Sequence, residues 1–130
     1  MRQILFRGKA LEEKPGVKIG EWVYGSLVKR ANREIYIYDY KMNEEIKVNP
    51  DTVKEGTGIY CLKDGRKTEI FEDDILAIKN KIHGFTSIVT GIVCWDKEEA
   101  GFYIELEDDF LKMTDIPSDT EIIGEYSFIQ

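Results

Sequence analysis

A mainly β protein is predicted by two features of the chain. Residues 34–40 alternate strictly, with Ile35 and Ile37 on one side and Tyr36, Tyr38 and Tyr40 on the other. Period-two alternation of this kind belongs to a strand, whose successive side chains point to opposite faces. Turn-forming clusters, among them Asn49-Pro50-Asp51, Asp64-Gly65 and Glu72-Asp73-Asp74, then punctuate a series of short apolar runs. Close, regular punctuation indicates an all-β sandwich or barrel, not βαβ units. The expectation is short antiparallel strands in one or two small barrel-like lobes, with at most one or two short helical turns.

In chain order, residues 3–8 alternate around Ile4 and Phe6, and residues 22–30 alternate around Trp22, Tyr24, Ser26 and Val28. The strand at 34–40 follows, then a short one holding Ile46 and Val48. Pro50 ends it, because proline lacks the ladder donor, and Asn49 before it suits the start of a helical turn over residues 50–55. Residues 59–62 and 69–71 flank Lys63-Asp64-Gly65-Arg66-Lys67. Asp-Gly there predicts a hairpin, and the polar run suggests a turn longer than two residues. Residues 75–78 form the next strand. Residues 87–95 and 101–106 form a second hairpin across a charged linker. A second helical turn is placed at 108–113. Residues 121–123 and 126–129 close the chain, with Gly124 as a bend or bulge between. The chain reads as a single domain, 1–130, with possible sub-lobes 1–71 and 72–130. The second opens as SH3-like barrels do, an acidic turn leading into an apolar strand. Phe6, Trp22, Tyr24, Ile75 and Trp95 are the expected core, and truncating a core Trp22 would cost about 3–5 kcal/mol.

The 130 residues suffice for a real core without disulfide staples. No stretch approaches the roughly 18 apolar residues that span a bilayer, so no membrane is expected. No apolar segment follows Arg2 and Arg7, which argues against a signal peptide and for the cytoplasm. Cys61 and Cys94 stand alone, without CxxC spacing, as expected of reduced core thiols. The net charge is −7, and residues 96–130 hold eleven acids against two lysines. An acidic chain repels phosphate, which argues against nucleic acid.

Little of the chain reads as catalytic. His83 is the only histidine and sits in a polar loop, with no partner at triad or zinc spacing. Glu72, Asp73 and Asp74, and separately Glu105, Glu107, Asp108 and Asp109, are acidic enough for a hard cation. The EF-hand spacing is missing, so no metal, cofactor or catalytic residue is assigned. The acids at 72–74 are instead expected to organise a turn, with Asp74 accepting backbone N–H bonds. Aromatic and basic residues interleave in one place, where Lys29, Arg30 and Arg33 lie near Tyr36, Tyr38 and Tyr40. Such a face could stack nucleic-acid bases or form a subunit interface, and aromatics are enriched at interfaces.

Six short pieces resemble the YopX family of phage and prophage proteins. They are Phe6-Arg7-Gly8-Lys9, the Gly20–Gly25 segment around Trp22 and Tyr24, Val48-Asn49-Pro50-Asp51-Thr52-Val53, the Thr57–Asp64 segment, the Ile70–Ile75 segment and Ile122-Ile123-Gly124. Their order and spacing cover nearly the whole chain. Asp73 stands where the family pattern has glycine, so this turn need not take positive φ. The resemblance implies a mainly β, cytoplasmic, phage-derived protein and carries no assigned activity. The resulting expectation is a non-enzymatic phage accessory protein that works by protein–protein contact, as a homo-oligomer or with a host or phage protein. The alternatives are a nucleic-acid module on the tyrosine face, or an acidic decoy of a host DNA-binding protein over residues 98–119.

Overall fold

The computed structural model describes residues 4–82 and 84–126. Among them are eleven strands and two 3-10 turns, so the mainly β expectation holds. The chain divides into two compact units, Met1–Gly56 and Thr57–Gln130. The division falls ahead of the 71/72 boundary read from the sequence, because β5 and β6 belong with the later strands.

The N-terminal unit holds β1 (Phe6–Lys9), β2 (Trp22–Lys29), β3 (Ile35–Asp39) and β4 (Glu44–Lys47), antiparallel in that order. The start of β5 (Lys54–Lys63) pairs with β1, opposing Glu55 to Phe6. A single bridge from Ala10 to Val48 returns the end of β4 to the residue after β1, so the barrel-like expectation is met only by an open, nearly wrapped sheet. Ala10, Val17, Val23, Ile37, Ile46 and Val48 fill its interior. A 3-10 turn at Pro50–Thr52 follows, its N-terminus capped by the Asn49 side chain, which accepts the Asp51 N–H. This turn is the one expected near Pro50, shorter than read, since residues 54 and 55 already belong to β5.

The outer edge of β4 is covered. Leu11 N–H donates to the Lys47 carbonyl at 2.8 Å, and the Lys14 ammonium donates to the Glu45 carbonyl at 3.0 Å. The Lys47 N–H donates to the Glu12 carboxylate at 3.1 Å. The β1–β2 loop thus occupies the groups that would otherwise recruit another strand.

In the C-terminal unit β6 (Arg66–Phe71), β7 (Asp74–Ile82), β8 (Phe85–Asp96), β9 (Gly101–Glu105), β10 (Phe110–Lys112) and β11 (Glu121–Glu125) complete the fold. The path runs β10-β9-β8-β7-β11-β5, with β6 on β5. It is open at both ends rather than closed into an SH3-like barrel. Contact of β11 with β5 is parallel and with β7 antiparallel, and the β7 register shifts between Ile122 and Gly124, the bulge foreseen at Gly124. Leu76, Ile78, Val93, Ile104, Ile70 and Cys61 lie in the core.

Three turns differ from expectation. The β5–β6 loop is only Asp64-Gly65, both at positive φ, 51° and 78°. Two such residues make the type I′ turn that matches strand twist, so Arg66 and Lys67 belong to the strand. Asp73 does take positive φ, 73°, so the turn demands the left-handed conformation even without glycine. Aspartate tolerates that region better than most residues. Residues 108–113 hold strand β10 instead of a helical turn, and the second 3-10 turn falls at Met113–Asp115. Residues 127–129, expected to extend the last strand, lie outside the described residues.

The expected core residues need correction. Tyr24 is 42% exposed and Trp95 40% exposed, so neither is core. Val23 and Gly25 hold the inward positions of β2, which turns Tyr24 outward, and Trp95 stands where β8 runs past its core neighbour Val93. Its ring meets Phe102 edge-on at 4.8 Å. Phe6, Trp22 and Ile75 are half-buried. Trp22 lies under two cations, with the Arg7 guanidinium 4.5 Å and the Lys9 ammonium 5.2 Å from its ring centre. Such contacts contribute on the order of 1 kcal/mol at partly exposed sites. Trp22→Ala is therefore expected to cost about 1–2 kcal/mol in urea titration, below the 3–5 kcal/mol of a filled core site.

Candidate functional site: the tyrosine face of the N-terminal unit

Register decides which aromatic and charged groups meet. In the antiparallel sheet Tyr36 opposes Val28 and Lys47, while Tyr38 opposes Ser26 and Glu45. Directly opposed residues share a face, so these side chains form one outer surface, with Ile37 buried on the other side. Tyr40 lies beyond the end of β3 and is 54% exposed. Its ring meets Tyr38 edge-on at 5.3 Å, and its hydroxyl bonds the Ser26 hydroxyl. The Tyr38 hydroxyl donates to Asn43. The tyrosines are thus brought together as the alternation predicted, and their hydroxyls hold them in place.

The three cations are not brought together. Arg30 alone lies on the tyrosines, 5.3 Å from the centre of Tyr36, and its guanidinium pairs with Glu45. Lys29 opposes Ile35 and therefore belongs to the opposite side of the sheet. Arg33 sits in the β2–β3 turn at φ 68°, its N–H donating to the Arg30 carbonyl. A second ion pair joins Lys47 to Glu34 at 3.3 Å. Glu34 also accepts the Tyr36 hydroxyl at 2.6 Å. That hydrogen bond, then the Lys47 ammonium, holds the Glu34 carboxyl below its usual range, and the same bond raises the Tyr36 phenol. Each cation against the tyrosines is answered by a carboxylate on the same surface. Glu34, Glu45 and Lys47 escaped the sequence reading, because pairing across strands depends on register, which no local pattern in residues 44–47 declares.

The remaining candidate groups are dispersed. Asp74 is buried and accepts the Phe71 N–H at 2.8 Å, while the Asp73 N–H donates to the Val93 carbonyl at 2.8 Å. In the β6–β7 turn the Asp74 carboxylate thus accepts a backbone N–H as expected. Asp109 and Asp96 likewise accept backbone N–H groups of their own turns. Among the described residues no three His, Cys, Asp or Glu side chains converge on a metal geometry. His83 lies outside the described residues. Cys61 and Cys94 are both free thiols. Burial, then the nearby Asp74 carboxylate, pushes the Cys61 thiol from 9.0 up to about 11. Burial and the Glu105 carboxylate raise Cys94 too. Thiols shifted this way are poor nucleophiles. Iodoacetamide at neutral pH should modify Cys61 on the order of 100-fold more slowly in the folded protein than in urea. The unfolded chain ionises first, so the thiol's contribution to stability is intact below 9.0 and lost as pH climbs toward about 11.

The fold defines the class first: a mainly β protein whose N-terminal unit presents a self-neutralised tyrosine face. Among the described residues no helix is long and apolar enough to cross a membrane. The family model described as YopX protein matches residues 5–126. The chain belongs to the YopX family. No curated relative and no solved structure matches it.

Proposed function

We propose that this protein is a non-enzymatic accessory protein of phage or prophage origin, working in the host cytoplasm by binding another protein through the tyrosine face. The observation that carries this reading is the pairing of Arg30 with Glu45 and of Lys47 with Glu34 beside the half-buried Tyr36 and Tyr38 and the exposed Tyr40. A phosphate-binding surface needs cations free to replace counterions. A protein-binding surface instead favours rigid aromatics whose charges are already matched. Tyr38 and Tyr40 offer broad contact area, and their bonds to Asn43 and Ser26 reduce the ordering cost of binding. The covered edge of β4 further favours docking on the face over strand addition at that edge.

Capture from phage-infected host cells tests this reading. Tagged wild-type protein should retain a partner protein that Tyr38→Ala/Tyr40→Ala loses, at an unchanged melting temperature. Retention should survive a rise from 50 to 500 mM salt, roughly the range over which phosphate contacts fail. A partner kept equally by the double variant, or lost with salt and nuclease, overturns it.

A further inference from the structure

The outer face of the C-terminal sheet carries large apolar residues among its polar ones. Register aligns Phe110, Glu105, Ile92 and Ile75 in one row across β10, β9, β8 and β7. Tyr103 and Cys94 form the next row, and Ile88 opposes Lys79 beyond them. The contact of Tyr103 with Phe110 at 6.4 Å and of Cys94 with Glu105 at 3.6 Å confirms that these side chains share one surface. Leu76, Val93 and Ile104 occupy the other surface, which is the core. Antiparallel sheets normally turn polar residues outward on their open side. Here Ile88 is 66% and Phe110 63% exposed.

The two ends of this surface carry opposite charge. β7 pairs with β11 only as far as Ala77, and β8 pairs with β9 only from Ile92. Beyond those points β7 and β8 continue as a two-stranded ribbon, a structure of marginal stability in water. The ribbon presents Lys81 and Lys79 beside Ile88, Lys79 pairing with Asp119 at 3.7 Å, and no acid occurs from Ile75 to Trp95. At the far end Phe110 is flanked by Glu105, Glu107, Asp108 and Asp109, against the one cation of β10, Lys112. A surface basic and apolar at one end, acidic and apolar at the other, is complementary to itself under a two-fold rotation.

We propose that this face pairs with the same face of a second copy. The lysine ribbon of each chain then lies on the acid-flanked β10 of its partner, Ile88 against Phe110. The tyrosine face belongs to the other unit and takes no part in this pairing. Sedimentation equilibrium of the full chain should give twice 15.1 kDa. Lys79→Glu/Lys81→Glu alone and Glu107→Lys/Asp108→Lys alone should each weaken the dimer on the order of 100-fold. An equimolar mixture of these two variants should restore it, because each ribbon then meets an edge of opposite charge. Trp95 fluorescence reports whether each variant is folded, and Ile88→Ser supplies a second way to open the face if one is not. A wild-type mass of 15.1 kDa at high micromolar concentration overturns the proposal. So does a dimer indifferent to Ile88→Ser and to charge reversal, or a mixture that stays monomeric. Loss of the captured partner in Tyr38→Ala/Tyr40→Ala is a separate readout, so either idea can fail alone.

Discussion

Gly25→Ala should unfold the N-terminal unit, or cost about 3 kcal/mol or more if the unit survives. β2 pairs with β1 up to Gly25, opposite Phe6, and from Ser26 onward with β3, opposite Tyr38. The strand changes partner at a point where backbones approach closely. A Cβ built on Gly25 would stand 1.8 Å from the Tyr38 carbonyl oxygen. That oxygen belongs to β3, which is held between β2 and β4, so relief requires moving the ladder itself. Each unit holds one tryptophan, Trp22 in the first and Trp95 in the second, so a Trp95→Phe background isolates the N-terminal transition. Gly20→Ala is the control: its φ is 89° but nothing lies within 4 Å, so only the conformational cost of about 1 kcal/mol applies. Equal midpoints for the two variants would mean that Gly25 is not the contact described.

Asp74→Ala should cost about 2–3 kcal/mol, because a hydrogen bond to a charged acceptor is lost and a buried N–H is left unsatisfied. Asp74 closes the two-residue connection between β6 and β7 by accepting the Phe71 N–H. The same turn receives the Tyr126 N–H at the Asp73 carbonyl, at 2.7 Å. The Asp74 side chain thus closes the turn from which the Asp73 backbone reaches Val93 of β8 and Tyr126. Asp74→Asn keeps an acceptor and should lose less than half as much. Asparagine and alanine variants of equal stability in urea titration would show that the hydrogen bond contributes nothing.

Strand positions were legible wherever one face is buried and the other is not. Residues 34–40 are the clearest case, because Ile37 goes to the core and Tyr36 and Tyr38 to the surface, as alternation requires. Turn geometry was harder to read. The polar run around Asp64-Gly65 looked like a long loop, yet charged Arg66 and Lys67 pair in β6, since an edge strand tolerates and even favours charge. The aromatic residues misled most. Tyr24 and Trp95 looked like core because they are large and apolar, but Tyr24 takes the outward position beside Val23, and Trp95 sits at the end of β8 past its core neighbour Val93. The C-terminal apolar face was written in residues 87–95, where Ile88, Ile92 and Cys94 alternate with Val89 and Val93. Apolar residues on both faces of one strand call for two covers, and the core supplies only one. The ion pairs of the tyrosine face were not legible, because they join Arg30 to Glu45 and Glu34 to Lys47 across a register set by the whole sheet.

Protein contact through the tyrosine face is tested most directly by a photo-crosslinking side chain. p-Benzoylphenylalanine in place of Tyr40 reaches what touches this surface in the infected host, and the same residue in place of Thr68, on β6, serves as control. Irradiation should give a discrete adduct from position 40 that is absent from position 68, resists nuclease and is destroyed by protease. An adduct that nuclease removes, or one formed equally at both positions, would contradict a protein partner on this face.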